Sequence, residues 1–359
     1  MFKTYQKYIF SKFIKKYIFI SIVFFSLVIV IGILEEISFF KDIEEKIFLP
    51  YLLTLMNAPS NLFQIFPFIF FLTTQLFFFD LYKNDELDLF KKSGLKNTII
   101  IKNLFFLSVF MGIFIILIFY NLSSSLKFYY SDIKNKLSLD NKYLAMVTKS
   151  GLWIKDDVSG EKLIIKSEIM NKNILKNVLI NKFDNDYKLK QIIQSPKIDI
   201  TNKQWILYSP IVTIDNITQK LEDNLIIPTN FDYKKISNIF GDNSTLNFKK
   251  ILNLLKDYKN LGYSTNEIML HLLNILTLPL FYSILTVMGS VTMINFTKNK
   301  SLIFQITSGI LISVILYYML FIFNTLGLAG KIPTYIAIFF PLIIISFISI
   351  IGLVRINEK

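Results

Sequence analysis

The chain has 359 residues, 53% of them hydrophobic, with 36 Phe and 18 Tyr, a composition that excludes an ordinary soluble domain and implies a membrane solvent. Its formal net charge of +13 would suggest nucleic acid in a soluble protein, but the lysines fall between apolar runs and in one long loop, so no nucleic-acid partner is expected. With no cysteine and a single histidine, His271, disulfides and thiolate metal sites are excluded, little remains for zinc or His-based catalysis, and no cofactor is expected.

A hydrocarbon core about 30 Å thick takes roughly 20 apolar residues in helix. The first such run, 17–34, follows Lys3, Lys7, Lys12, Lys15 and Lys16 and ends in Glu35 and Glu36. It is longer than a secretion-signal core and has no small-residue cleavage site, so it reads as an uncleaved anchor. Further spans are predicted at 62–79, 104–120, about 268–296, 302 to about 323, and 335–354, which makes six transmembrane helices. Pro67, Pro279 and Pro341 fall inside them, where each removes a backbone donor and favours a kink. Lysines crowd the N-terminal segment and the loop from Lys83 to Lys102, and Lys298, Lys300, Arg355 and Lys359 continue the same alternation. The opposite short loops hold only Lys41, Lys46 and Lys331. The positive-inside rule then puts both termini in the cytoplasm and the long segment after the third span on the other side.

Between the second and third spans, residues 83–94 carry Asp85, Glu86 and Asp88 at one end, Lys91 and Lys92 at the other, and Leu87, Leu89 and Phe90 on an apolar side before Gly94. Charges placed this way suit a helix dipole. A short helix at about 81–94 is predicted, either docking into a cytoplasmic partner or simply solvated.

The central segment, 127–264, alternates apolar and polar residues at 162–166, 197–201 and 212–215, with turn residues at 158–160, 184–186 and 201–203. Period two predicts strands, and the spacing suits an antiparallel sandwich or jellyroll inserted between two membrane halves, 1–126 and 265–359. Leu163, Ile165, Ile198, Ile200, Val212 and Ile214 are expected on its inward face, as core or as a trough for acyl chains. Asp184-Asn185-Asp186 has the D-x-D form of metal-dependent glycosyltransferases, but between two strands a turn is the preferred reading. Phe248, Ile251, Leu252, Leu255 and Tyr258 then predict an amphipathic helix ending before Gly262. Ser264 and Glu267 have capping-box spacing for the fourth span, with His271 one turn after Glu267. The only Gly-Lys step, Gly330-Lys331, is followed by Ile332, so the chain lacks a P-loop, and it has no H-E-x-x-H or G-x-S-x-G motif. No enzymatic activity of its own is expected.

Several short motifs occur in a telling order. They are the Pro59 to Pro67 spacing, Asp85-Glu86-Leu87, Ser93-Gly94, Gly151-Leu152-Trp153-Ile154-Lys155-Asp156, Lys203-Gln204-Trp205-Ile206-Leu207, Leu278-Pro279-Leu280, Ser308-Gly309 and Gly330-Lys331-Ile332-Pro333. With them the chain resembles, over nearly its whole length, the LptF/LptG family of lipopolysaccharide export permeases. The Gly-Leu-Trp step brings it nearer the LptG branch than the LptF branch.

The resemblance implies an ABC-transporter permease in the bacterial inner membrane. Its partners would be an LptF-like permease, an LptB-like ATPase dimer and an LptC-like membrane-anchored jellyroll protein. Such a complex extracts lipopolysaccharide and hands it to a periplasmic β-jellyroll bridge. By the same resemblance, Glu86 matches the glutamate of a coupling helix that meets the ATPase, with Asp85, Leu87 and Phe90 beside it. Lys41 and the six inward β residues are the candidate lipid path. Relatives often carry lysines near the outer end of the first helix, whereas Glu35 and Glu36 stand here and only Lys41 follows. The alternatives are an LptF paralogue or other exporter permease, a membrane-bound glycosyltransferase, and a non-transporting assembly scaffold.

Overall fold

The computed structural model describes residues 3–41, 48–137, 152–158, 160–171, 173–215, 217–233, 235–236, 243–260, 264–296 and 302–357. Two compact units divide the chain, one formed by Met1–Lys127 with Asn266–Lys359 and the other by Phe128–Thr265.

The first unit is helical. Its elements are α1 (Thr4–Phe39), α2 (Leu49–Lys83), the short α3 (Glu86–Lys92), α4 (Asn97–Phe114), α7 (Asn266–Phe296), α8 (Leu302–Leu328) and α9 (Thr334–Asn357). After α4 a π-helical turn, Ile115–Tyr120, leads into α5 (Asn121–Leu137). Six of these helices are long and apolar enough to cross a membrane.

The helices outrun the apolar stretches that predicted them. Glu35 and Glu36, expected in a connection, belong to α1, where Glu36 is buried. The third span was expected to end at Tyr120 but continues as helix, its polar side chains bonding back to their own turn. Asn121 Nδ2 donates to the Leu117 carbonyl at 2.8 Å, and the Ser123 and Ser125 hydroxyls donate to the Tyr120 and Asn121 carbonyls at 3.0 and 2.9 Å. Hydropathy marks the hydrocarbon-depth part of a helix, whereas the backbone ladder continues into the wet interface.

At the centre lies α7, packed against α2, α4, α8 and α9, while α1 rests chiefly on α2. Close approach needs small residues in a bilayer, where apolar bulk gives helices no reason to associate. Gly112 of α4 supplies one such point, since a Cβ there would stand 2.6 Å from Pro279 Cα. Four residues away the buried hydroxyls of Ser108 and Thr286 lie 2.8 Å apart, and Phe70 stacks on Tyr282 with ring centroids 4.5 Å apart.

The second unit holds one eight-stranded antiparallel sheet and a helix, α6 (Phe248–Asn260). The strands are β1 (Leu152–Val158), β2 (Glu161–Asn171), β3 (Ile174–Phe183), β4 (Leu189–Asp199), β5 (Gln204–Tyr208), β6 (Ile211–Ile214), β7 (Ile217–Lys220) and β8 (Leu225–Pro228). Their order is β1-β2-β3-β4-β5-β8, with β6 also on β4 and β7 on β6.

A crease crosses this sheet. Buried Ser167 and Met170 of β2 enclose two exposed residues, as do Val178 and Leu175 of β3 and Ser195 and Ile198 of β4. These buried pairs are register partners, so three strands change face along one line. Pro196, without an amide proton, interrupts the ladder there, and Asn177 opposite has φ of 50°. The Ser167 hydroxyl lies 3.1 and 3.0 Å from the Ile169 and Lys176 carbonyls, and that of Ser195 lies 2.8 and 2.9 Å from those of Lys197 and Tyr208. Beside the crease β4 changes partner from β5 to β6, across Ser209 and Pro210.

Two details of the β unit depart from the sequence pattern. Ile214, expected on the inward face with Val212, is 48% exposed. It lies beyond the last β4 partner of β6 and pairs only with Ile217 of the edge strand β7. In α6 the buried stripe is Ile251 and Leu254, and Leu252 faces out. Gly151, Ser159, Gly262, Lys46, Lys298, Lys300 and Lys359 lie outside the described residues.

Candidate functional site

The loop between α2 and α4 is built to hold about two turns of helix. Asp85 initiates α3 with φ of 55°, a left-handed conformation that Asp tolerates better than most residues. At the other end Gly94, φ 79°, closes a Schellman motif, its amide donating to the Lys91 carbonyl at 3.0 Å and that of Leu95 to the Phe90 carbonyl at 2.9 Å. The Ser93-Gly94 step is therefore a structural stop signal. Glu86 and Asp88 in the first turn and Lys91 and Lys92 in the last complement the dipole.

Two faces of α3 have different fates. Leu87 is buried among Ile9 and Phe13 of α1, Phe77 and Leu81 of α2, and Ile100 and Leu104 of α4. Phe90 packs on the same cluster and meets the Tyr8 ring edge-on at 6.3 Å. Glu86 lies on this inner side. Its Oε1 accepts from Lys12 Nζ at 2.6 Å and Oε2 from the Tyr8 hydroxyl at 2.8 Å, with Asn84 Nδ2 at 3.3 Å. Burial, the largest single influence, pushes its carboxyl upward, but the hydrogen bonds from Lys12 and Tyr8, with the Lys12 charge and Asn84, outweigh it and hold it below its ordinary value. One turn further along α1, Lys16 pairs with Asp80 of α2 at 2.5 Å.

The outer side carries Asp85, Asp88, Leu89 and Lys92, all exposed. Of the four expected coupling residues, Asp85 faces solvent, Glu86 and Phe90 are half-buried and Leu87 is buried. Asp88 and Leu89 share the exposed face with Asp85. Projecting 85, 88, 89 and 92 onto a helix collects them on one face.

In the β unit Leu163, Ile165, Ile198, Ile200 and Val212 are buried together as a core, and Lys41 is exposed just after α1. The motif residues around them are structural ties. Buried Asp156 accepts from the Asn230 backbone at 2.8 Å and from Asn230 Nδ2 at 2.9 Å. The fully buried Trp205 donates its indole N–H to the Phe231 carbonyl at 2.9 Å. Trp153, by contrast, lies half exposed with Lys166 over its ring.

Asp184 serves its turn, accepting from the Asp186 and Lys188 amides at 2.9 Å each. Among the described residues no group of three or more His, Asp or Glu could hold a metal ion. His271 Nε2 lies 3.2 Å from the Tyr120 hydroxyl.

One feature had no sequence signal. An apolar cavity of about 560 Å³ opens between α2, α7 and α8, lined by Gln64, Pro67, Phe71, Phe281, Ser313 and Tyr317 among others. Volumes of this order accommodate small ligands or part of a lipid.

Compared with known families, residues 7–355 match the family described as lipopolysaccharide export system permease LptF/LptG. No curated protein matches the chain.

Proposed function

The chain belongs to the LptF/LptG family of lipopolysaccharide export permeases, and we propose that within it this is the LptG-type subunit of an ABC exporter. It pairs with an LptF-like permease, is driven by an LptB-like ATPase dimer and joins an LptC-like jellyroll protein. Residues 1–126 and 265–359 form its membrane part in the bacterial inner membrane, with both termini cytoplasmic, and residues 127–264 form the periplasmic β-domain. The observation that carries this reading is α3, a capped helix between two candidate spans that presents Asp85, Asp88 and Leu89 outward. It gives a partner ATPase a place to push, in a chain with no P-loop of its own.

The lipid needs a shielded route. Each methylene exposed to water costs about 0.8 kcal/mol, so one long acyl chain costs on the order of 10 kcal/mol. The α2–α7–α8 cavity supports a first acyl contact within the membrane unit. Lys41 offers a cation to lipid phosphates, and the β interior at Leu163, Ile165, Ile198, Ile200 and Val212 receives the chains. Those five side chains are enclosed, so a chain reaches them only when the sheet opens.

The test is purification from its native membrane followed by reconstitution in liposomes loaded with lipopolysaccharide. An ATPase and a second six-span subunit should co-purify, and lipopolysaccharide should leave the bilayer only with ATP. Absence of both subunits, or release indifferent to ATP, would leave an assembly scaffold as the better description.

A further inference from the structure

We propose that a groove between α4, α7 and α9 holds one anionic phospholipid of the bilayer leaflet nearest α3, its phosphate against Lys102 and an acyl chain below. The inference needs the membrane-spanning plan alone and no partner subunit. Under the topology proposed above, that leaflet is the cytoplasmic one.

The groove follows from how three helices pack. Central α7 packs against both α4 and α9, which scarcely touch each other. Between them remains an apolar recess of about 390 Å³, within the range of small-ligand sites. Each helix contributes one stripe, Thr98 to Phe105, Leu280 to Val287 and Ser346 to Leu353, and each stripe rises about 10 Å. That is roughly two-thirds of one leaflet's hydrocarbon depth, taken as half of about 30 Å. Ser346 and Ser349 make the space. Their hydroxyls donate to the Leu342 and Ile345 carbonyls at 2.7 and 2.8 Å, so α9 offers the groove small volume and no spare donor.

The mouth is charged in one sense only. Lys102 stands about 7.5 Å along α4 from its first residue, Asn97. At this depth a lysine lays its stem on the apolar wall and lifts its ammonium to the headgroups. No carboxylate lines the groove, and among the described residues none pairs with Lys102. Because α4 begins without a side-chain cap, the positive end of its dipole lies at the same mouth. Basic pockets between membrane helices suit phosphate headgroups, whereas a zwitterionic lipid would bring its own cation towards the lysine. The other end of α4 leads on to the β unit, so a lipid held here lies away from the exit of an exported one. It is a resident of the permease, joining α4 and α9, which otherwise share only α7.

The test uses the full chain in nanodiscs of equal phosphatidylglycerol and phosphatidylcholine. A photo-reactive diazirine side chain replaces Ile350 in the groove or, as a control, the exposed Phe347 outside it. At Ile350 phosphatidylglycerol adducts should exceed phosphatidylcholine adducts about five-fold, the worth of one lysine beside an anionic headgroup. At Phe347 the two should be equal. Lys102→Gln should bring Ile350 to parity, as should filling the groove with Ser346→Phe, while Lys331→Gln, at the opposite end of α9, should change nothing. Unchanged gel-filtration elution and Phe347 capture keep the comparison among folded chains. Parity at Ile350 in the parent chain, or an enrichment that survives Lys102→Gln or Ser346→Phe, would overturn the proposal. So would lipopolysaccharide that, when added, replaces the phosphatidylglycerol adduct with its own, since the groove would then belong to the cargo.

Discussion

The helical unit and the β unit use the same residue types in opposite ways. In the β unit Ile198, Ile200 and Leu207 are wholly buried, and lysines and carboxylates mostly face out. In the helical unit Leu311 and Ile315 of α8 are 60% and 67% exposed, while Thr73, Thr74, Ser283, Thr286 and Ser290 are fully buried. The hydroxyls of Thr74, Ser283, Thr286 and Ser290 are satisfied within their own helices, as where Thr286 and Ser290 donate to the Tyr282 and Thr286 carbonyls at 2.9 and 2.7 Å. In water apolarity says what is inside. In a bilayer it says only what is within the hydrocarbon, and small or hydroxyl residues mark where helices meet.

Substitutions can press on that contrast, beginning where the effect is greatest. Ile198→Ala should destabilise the β unit by about 2 to 5 kcal/mol through the cavity it leaves, read as earlier urea unfolding by fluorescence of the buried Trp205. Ile214→Ala, at the edge, should stay within about 0.5 kcal/mol. Equal losses at the two positions would mean that Ile214 also packs in a core.

Next, Leu311→Asp in α8 should cost about 2.5 to 3.5 kcal/mol of membrane insertion, measured as the glycosylated fraction in a translocation assay. The same change at the more exposed Ile217 of β7 should stay within about 0.5 kcal/mol of the parent in unfolding. If Leu311→Asp inserts normally, the exposed face of α8 does not meet lipid.

A smaller effect is expected at the α4–α7 hydroxyl pair. A double-mutant cycle of Ser108→Ala and Thr286→Ala should return a coupling of about 0.6 kcal/mol, measured by thermal unfolding in detergent. A coupling of several kcal/mol would show that the unfolded chain finds no substitute partner.

At the border between the two solvents no effect at all is expected from neutral pH changes. Glu86 is held below its ordinary value, so its contribution is complete above the unfolded carboxyl pKa of about 4.3 and lost only as pH falls through the lower folded value. Glu86 joins α3 to Tyr8 and Lys12 of α1, so the distance between spin labels at Ser11 of α1 and Leu89 of α3 should be flat from about pH 6 to 8 and widen only in strong acid. Widening near neutrality would mean that a different titrating group holds α3 to α1.

How far the sequence could be read depended on whether a signal was local. The six spans were visible because bilayer thickness sets run length, but their true ends were not, since α1 continues through Glu36 and α5 carries the helix past Tyr120, along a backbone ladder that hydropathy ignores. Nor could hydropathy tell the central α7 from the peripheral α8. Their apolar windows average 1.9 and 2.0, yet 50% and 11% of them are buried. The existence of α3 was legible from its acidic start and Gly94, whereas its inner face was not, because Lys12 lies 74 residues from Glu86. Alternation found the strands, but the crease at Pro196 and the end of β6 that runs beyond its β4 partners decided which apolar residues are enclosed.

The tie between Asp156 and Asn230 also bears on the order of events during synthesis. A carboxylate in β1 that must end up buried waits for a partner 74 residues downstream. At about 5 to 20 residues per second, that partner follows some 4 to 15 s later. Until then β1 cannot seal without leaving a charge uncompensated, so the unit cannot finish from its N-terminus as it emerges. Completion awaits the segment just after β8, and a chain stalled before Asn230 should present an open, chaperone-dependent sheet.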